Sequence, residues 1–437
     1  MKHRWAAVMA AVLVPASPAA DKPSGNGLPT YAKEVSRIIQ KNCEGCHRPG
    51  QIGPFSLTNY EQVSAFAPEI KKAALERRMP PWHAVKGYGE FRNERRLSDA
   101  DVETLARWVD AGAPPGNLKD LPPPVQYSED WVLGTPDAVI TPDTSFELEA
   151  SGVDEYRCFV VPTSYPEDRT IQAVEVRPGN RKVVHHVLIY SDVTGKARQL
   201  DAADSRPGFR CFGGLGFLPQ TGLGGWAPGG GVGRLPDDVG RFLAKGADVV
   251  MQVHYHKSGK PETDRSSLGF YFNRLPAKRY LRSRPVANLG IRIPAGAEHH
   301  RETAAWTLNE DILAYSVAPH MHLLGKEMLI TATLPDDKKI DLVWVKGYSF
   351  NWQTGYVYKE PIPLPRGTRI DVTGYFDNSA KNPNNPNQPL KEIRWGEGTT
   401  DEMLIGWVAY ITDTPFTRRD PAGDPARRSA TAERTTP

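Results

Sequence analysis

His320 and His322 stand two residues apart in Pro319-His320-Met321-His322. Side chains at i and i+2 of a β-strand leave on the same face, so both imidazoles can reach one metal ion. Leu313, Tyr315 and Val317 alternate ahead of the pair and Gly325 follows it, which predicts a strand here. Alone, an H-x-H pair is as well explained by hydrogen-bonded surface groups. Four other stretches supply related chemistry: His185-His186, His254-Tyr255-His256, Met403, and Cys43-Glu44-Gly45-Cys46-His47.

The C-x-x-C-H run is the strongest single motif. Two thiols in this spacing can form thioethers to a heme, and His47 can be its proximal ligand. A zinc site and a redox C-x-x-C are the alternatives; the adjacent His and an export signal favour heme. Met79, in Arg78-Met79-Pro80-Pro81-Trp82, is the best candidate for the second axial ligand, because a thioether suits electron transfer. His83 is its rival, and Met79 as core filler is the bland reading.

A chain of 437 residues suggests about three domains. The net charge of +3 is too mild to argue for a nucleic-acid partner. Glycine and proline, 39 of each, favour turn-rich β architecture over long helices. Residues 1–20 read as a signal peptide: Lys2, His3 and Arg4, an apolar run from Trp5 to Val14, then small residues with a cut after Ala19. That run is shorter than the ~20 residues a membrane span needs. The expectation is a periplasmic or secreted protein with no transmembrane segment after cleavage.

Residues 28–116 read as a small all-α domain. Val35, Ile38 and Ile39 form a stripe leading into Cys43. Ser98-x-x-Asp101 resembles a capping box, Val102, Leu105, Ala106 and Val109 make an apolar face, and Gly112 fits the stop. Residues 117–135 form a linker stiffened by Pro122-Pro123-Pro124. The pattern then becomes β, in one block over 136–286 and a second over 287–416. Strands are expected at 170–176, 183–190, 247–253 and 268–272, then at 312–317, 328–334, 341–345, 369–375 and 404–411. The tail 417–437, rich in Arg, Ala, Thr and Pro, reads as disordered.

His185 and His186 are adjacent on an apolar strand, so they face opposite sides unless the strand twists or bulges there. His254 and His256 share a face, and either could join a site. A Met at 403 is usually core packing. Imidazole suits copper, zinc and iron, whereas a thioether favours soft Cu(I).

Residues from about 130 to 412 resemble the ascorbate-dependent type 2 copper monooxygenases, the family of dopamine β-monooxygenase and peptidylglycine α-hydroxylating monooxygenase. Four landmarks follow the family's order: VVHHVLIY at 183–190, QVHYH at 252–256, PHMHLLGK at 319–326 and TTDEM at 399–403. The QVHYH form is closer to the dopamine enzyme. The resemblance implies two jelly-roll-like β-sandwich domains, one copper on each, facing across an open cleft. It implies that His185, His186 and His254 bind an electron-transfer copper, and that His320, His322 and Met403 bind the copper where oxygen reacts. His256 matches a position that is not a ligand. Cys158, in Asp154-Glu155-Tyr156-Arg157-Cys158, resembles a family disulfide cysteine, with Cys211 as the partner. Trp226 resembles a structural segment. The front of the chain resembles cytochrome c domains carrying an R-M-P-P-W run, which favours Met79.

The chain also departs from that family. The peptide-amidating enzyme has an Arg two residues before its H-x-H pair and an Asn and a Tyr just after the ligand Met; here Ala318, Ile405 and Trp407 stand there. A peptide C-terminus is therefore not the expected substrate, and the pocket is more apolar. The expectation is an exported monooxygenase with two coppers and one covalent heme c. It would hydroxylate a C–H bond of a small organic substrate with O2, its electrons coming through the heme domain, from ascorbate or from a redox protein. The other reading is a heme and copper electron-transfer or copper-binding protein without oxygenase turnover. A zinc protein is disfavoured by Met403. His299 and His300 read as surface residues at a turn or strand end, and the polar loop 378–387 has no assigned role.

Overall fold

The computed structural model describes residues 27–127, 131–212, 214–227 and 231–413. The signal peptide and the tail expected at 417–437 lie outside the described residues. What is described is mainly β-sheet, with the few helices concentrated near the front.

The helices Ser36–Asn42, Tyr60–Ala65, Ala67–Leu75 and Asp99–Asp110 gather around one apolar cluster. Val35, Ile38 and Ile39 are buried in it, as a helical stripe must be. Ser98 caps the last helix by accepting the Asp101 N–H at 3.0 Å. Gly112 closes it with φ +80°, a conformation that costs glycine no Cβ clash. Trp108, fully buried, completes the face of Val102 and Leu105. The linker begins as a turn, Leu118–Asp120, and the Pro123 carbonyl accepts from Gln40 on the first helix.

One stretch of the 28–116 region leaves this cluster. Trp82, Ala84 and Phe91 insert into the core of the C-terminal β unit. Ala84 bridges to Val345 and Phe91 to Tyr358, on strands at the edges of two different sheets. Residues 82–93 thereby cover two edges that would otherwise expose unpaired backbone groups.

Strands form at all nine positions expected from the pattern, with ends displaced by a few residues. An eight-stranded sheet runs through both halves of the chain. Its halves meet where Val239–Leu243 pairs in parallel with Arg279–Ala287, through Arg279 opposite Val239. Arg279–Ala287, which the sequence boundary at 286 assigned to the first block, pairs along its length with Ile405–Thr412 of the second. A five-stranded sheet covers the first half and encloses Val187, Ile189, Val249, Met251 and Phe270. A four-stranded sheet covers the second half and encloses Met328, Ile330, Val372 and Val408. Period-two alternation places these side chains between the sheets and fixes the register of each strand.

Candidate functional site

His185 and His186 lie on Val184–Asp192, and His254 on the neighbouring strand Asp248–Tyr255. The pairing register shifts between Val184 and His186, and His186 sits directly opposite His254. An extra residue in one strand re-aims its side chain, so His185 turns toward the other two. The Nδ1 atoms then converge, 3.3 Å from His185 to His186, 3.2 Å from His185 to His254 and 3.3 Å from His254 to His186. Ligands at the corners of a tetrahedron, each about 2.0 Å from a central ion, stand about 3.3 Å apart, so this triangle has the size of one face of a metal site.

The surroundings favour lone pairs on those atoms. His254 Nε2 donates to Asp154 Oδ2 at 2.9 Å, which leaves its Nδ1 unprotonated. Tyr156 stacks on His254 with ring centroids 4.2 Å apart. Burial, then the neighbouring His254, holds the His185 imidazole down to about 4, and burial pushes His186 well below its ordinary range. Neutral imidazole is the form that ligates. His256 stays outside the cluster, exposed, with Nδ1 bonded to Asp154 Oδ1 at 3.1 Å.

The second cluster corrects one expectation. The strand Ile312–His320 ends at His320, and His322 lies in the turn beyond it. The strand period therefore does not set the pair; a buried carboxylate does. Glu402 accepts the backbone N–H groups of His322 at 2.8 Å, Leu324 at 2.6 Å and Met403 at 3.1 Å. It is fully buried, and that burial pushes its carboxyl up to about 8 against the pull of those N–H groups. The two rings stand at 89° with centroids 5.2 Å apart. His320 Nδ1 donates to Gln353 Oε1 at 2.7 Å and His322 Nδ1 to the Asp401 carbonyl at 3.1 Å. Both Nε2 atoms are left as lone-pair donors. Burial, then His320, holds His322 down to about 3. Met403 is buried, and two residues on Ile405 pairs in register with His320. Gly325 lets the turn close, since a Cβ there would lie 2.6 Å from that of Met321.

One aromatic side chain contacts a histidine of each cluster. The Phe350 ring lies parallel to His185 at 5.6 Å and edge-on to His322 at 5.6 Å. Beside it the Thr399 hydroxyl donates to Asp154 Oδ2 at 3.2 Å. The loop of Phe350 also carries Gln353, whose Nε2 donates to the Phe350 carbonyl at 3.1 Å.

At the front, the helix Ser36–Asn42 runs into the C-x-x-C-H stretch. The N–H groups of Cys46 and His47 both donate to the Cys43 carbonyl, at 3.1 and 2.9 Å. Cys43 and Cys46 are free thiols. Burial, then Cys46, pushes the Cys43 thiol up to about 12. His47 Nδ1 donates to the Phe55 carbonyl at 3.1 Å, freeing Nε2 for an axial ligand role. Gly53 passes so close that a Cβ would lie 2.7 Å from the Cys46 oxygen and 2.8 Å from His47 Nδ1. Met79 is exposed, and the His83 carbonyl is tied to Lys346 N–H at 3.1 Å.

Cys158 and Cys211 form a disulfide with Cα atoms 6.0 Å apart. Trp226 packs against the first β core. His299 is exposed and stacks on Tyr375, while His300 starts a strand and bonds Glu302 at 3.0 Å. The loop 378–387 has a structural part: the buried Asn378 amide donates to the Ile293, Pro294 and Lys391 carbonyls. Among the described residues no helix is long and apolar enough to cross a membrane.

The sequence reading missed the roles of Asp154, Gln353, Glu402, Phe350 and Gly53. Asp154 and Glu402 each stand inside a recognised stretch, Asp154 to Cys158 and Thr399 to Met403, which was the available signal. Phe350 and Gln353 carried none.

No protein-family model matches the chain, and no curated protein does. Among solved structures it is similar to the major capsid protein P2 of bacteriophage PM2, at 8% identity over 63% of this chain and 96% of that one, with a TM-score of 0.27. It is also similar to a structure of infectious bursal disease virus, Gt strain, at 9% identity over 68% of this chain and 85% of that one, with a TM-score of 0.17. Likenesses this low carry no argument about what the chain does.

Proposed function

We propose that this chain is an exported copper-dependent monooxygenase, fed with electrons through a covalent heme c or by ascorbate. It hydroxylates a C–H bond of a small, mainly apolar substrate with O2. On this reading the helical front is a cytochrome c domain and the β units are jelly-roll-like sandwiches, working in the periplasm or outside the cell. The observation that carries the proposal is the Nδ1 triangle of His185, His186 and His254, with a second histidine pair and a buried Met403 opposite it.

The reaction R–H + O2 + 2 e⁻ + 2 H⁺ → R–OH + H2O needs two electrons from outside. Copper bound at each cluster would supply one-electron redox chemistry, and the thioether would favour Cu(I) at the second. The chain's own residues do the rest. Asp154 fixes the tautomer of His254, and Gln353 and the Asp401 carbonyl fix those of His320 and His322. Glu402 holds His322 and Met403 on one scaffold. Phe350 and Tyr156 keep water from the imidazole faces. Cys43, Cys46 and His47 would hold the heme, with Met79 or His83 as the candidate further ligand.

The second reading, an electron-transfer or copper-binding protein without oxygenase turnover, has one observation in its favour. Phe350 occupies the space between the clusters, where a substrate would have to enter.

The test uses protein loaded with heme and copper, reduced without oxygen and then exposed to O2. The heme band and the Cu(II) EPR signal are followed in wild type and in Met403→Ala. Oxygen uptake in step with reoxidation, both lost in the variant, supports the oxygenase. Uptake that ignores Met403 leaves the carrier role.

A further inference from the structure

We propose that Asn93 and the His83 backbone are positioning parts of the cluster of His320, His322 and Met403. They hold the two ends of the loop 347–355, and that loop places His320 and Met321. This deepens the copper reading above and rests on it.

The loop joins Lys339–Lys346, at the edge of the four-stranded sheet, to Tyr356–Leu364, at the edge of the eight-stranded one. Three of its side chains meet the histidine clusters. Gln353 Oε1 accepts from His320 Nδ1 at 2.7 Å. The Tyr348 hydroxyl accepts the Met321 N–H at 3.1 Å and donates to the Met321 carbonyl at 2.8 Å, so it fixes the backbone between the two histidines. The Phe350 ring lies 5.6 Å from those of His185 and His322. Because the loop's ends lie on separate sheets, all three contacts depend on the spacing of those ends. Freeing either end would return conformational entropy to the loop and loosen its hold on His320 and Met321.

Residues 83–93 fix that spacing. At one end of the loop, Lys346 N–H donates to the His83 carbonyl at 3.1 Å and Val85 N–H to the Trp344 carbonyl at 2.7 Å. At the other end, Asn93 Nδ2 donates to the Gly355 carbonyl at 2.8 Å, and Asn93 Oδ1 accepts the Val357 N–H at 3.0 Å. Arg92 N–H donates to the Val357 carbonyl and Lys359 N–H to the Glu90 carbonyl, both at 2.9 Å. The segment thus joins the same two strands that the loop joins. Covering bare sheet edges would be served by bonds anywhere along those strands. These bonds fall instead on 344–346 and 355–359, the ends from which the loop springs. Trp82 and Phe91 anchor the segment, each packed against the Tyr356 ring, at 5.0 and 5.2 Å. Asn93 bonds the residues on both sides of that same Tyr356.

The experiment uses the full chain, first without added copper. Hydrogen exchange read by mass spectrometry should show the loop 347–355 exchanging about tenfold faster in Asn93→Ala, the scale of two lost hydrogen bonds. The strand that carries His185 and His186 should not change. Copper affinity at each cluster is then measured by chelator competition, with EPR separating the two Cu(II) signals. Asn93→Ala and Gln353→Leu should each weaken copper binding at the histidine–methionine cluster about tenfold and shift its signal. The three-histidine cluster should match wild type in both. The double variant should lose less than the sum of the two single losses, because Asn93 acts through the loop that carries Gln353. Unchanged loop exchange in Asn93→Ala, equal losses at both clusters or fully additive losses would overturn the proposal. Wild-type exchange in rising urea decides the matter if Asn93→Ala does not fold. Residues 83–93 and 347–355 should then open together, and opening of 83–93 with the loop still protected would overturn it. If the wild type binds no copper, the copper reading fails, while the exchange arms still decide whether residues 83–93 hold the loop.

Discussion

Thr399 donates its hydroxyl to Asp154 at 3.2 Å, and this bond joins the two β units beside both histidine clusters. The same carboxylate holds His254 at 2.9 Å and His256 at 3.1 Å. Burial opposes its charge, but the hydrogen bond and charge of His254, helped by His256 and Thr399, hold its carboxyl below the usual range. One acidic residue thus orients His254 on one unit and ties down the stretch that carries Met403 on the other.

Asp154→Ala should weaken copper binding at the three-histidine cluster by about 10- to 100-fold, the effect usual for a lost carboxylate behind a histidine ligand. A chelator competition titration, read by EPR, measures it. The histidine–methionine cluster should lose far less. Equal losses at both clusters would mean that Asp154 acts through the fold as a whole.

On the proposed two-copper reading, Phe350→Ala should open the space between His185 and His322 without lowering copper uptake. Carbon monoxide binding to Cu(I) at the methionine cluster should become faster. Infrared stretching bands and stopped-flow rates report it. Unchanged rates would show that Phe350 does not limit access.

If the proposed heme is bound through Cys43 and Cys46, Gly53→Ala should leave it attached but displace His47. The added Cβ would lie 2.8 Å from the Nδ1 that holds the Phe55 carbonyl. Absorption and EPR spectra should shift from low-spin toward high-spin heme. A wild-type spectrum would place His47 elsewhere than in the axial position.

Arg157 is buried beside Asp204, at 3.0 Å, and also donates to the Arg206, Pro207 and Gly208 carbonyls. Burial opposes the Asp204 charge, but Arg157 and the N–H groups of Arg206 and Arg210 hold its carboxyl below the ordinary range. A depressed folded-state pKa adds stability above the unfolded value, about 3.9, and that stability is lost as pH falls through the folded value. Asp204→Asn should therefore destabilise by about 1–3 kcal/mol at neutral pH, since Arg157 keeps its carbonyl partners. The gap from wild type should narrow progressively below the unfolded value. Urea denaturation at neutral and at acid pH tests both parts.

The sequence by itself determined the local architecture. Alternating apolar residues located the strands, Ser98 and Gly112 bounded a helix, and the C-x-x-C-H and histidine stretches marked where ligands gather. These signals are local, because strand pleat and helix capping act over a few residues. The tertiary structure decided everything that depends on distant partners. The bulge that turns His185 inward arises from pairing with a strand about seventy residues away. His322 is set by Glu402, eighty residues on, and not by the strand period. Phe350 between the clusters, Asp154 against Thr399, and Trp82 within the C-terminal core all join side chains that no periodicity connects. A hydrogen bond or ring contact across the fold needs only that two residues meet in space, and spacing along the chain does not encode where they meet.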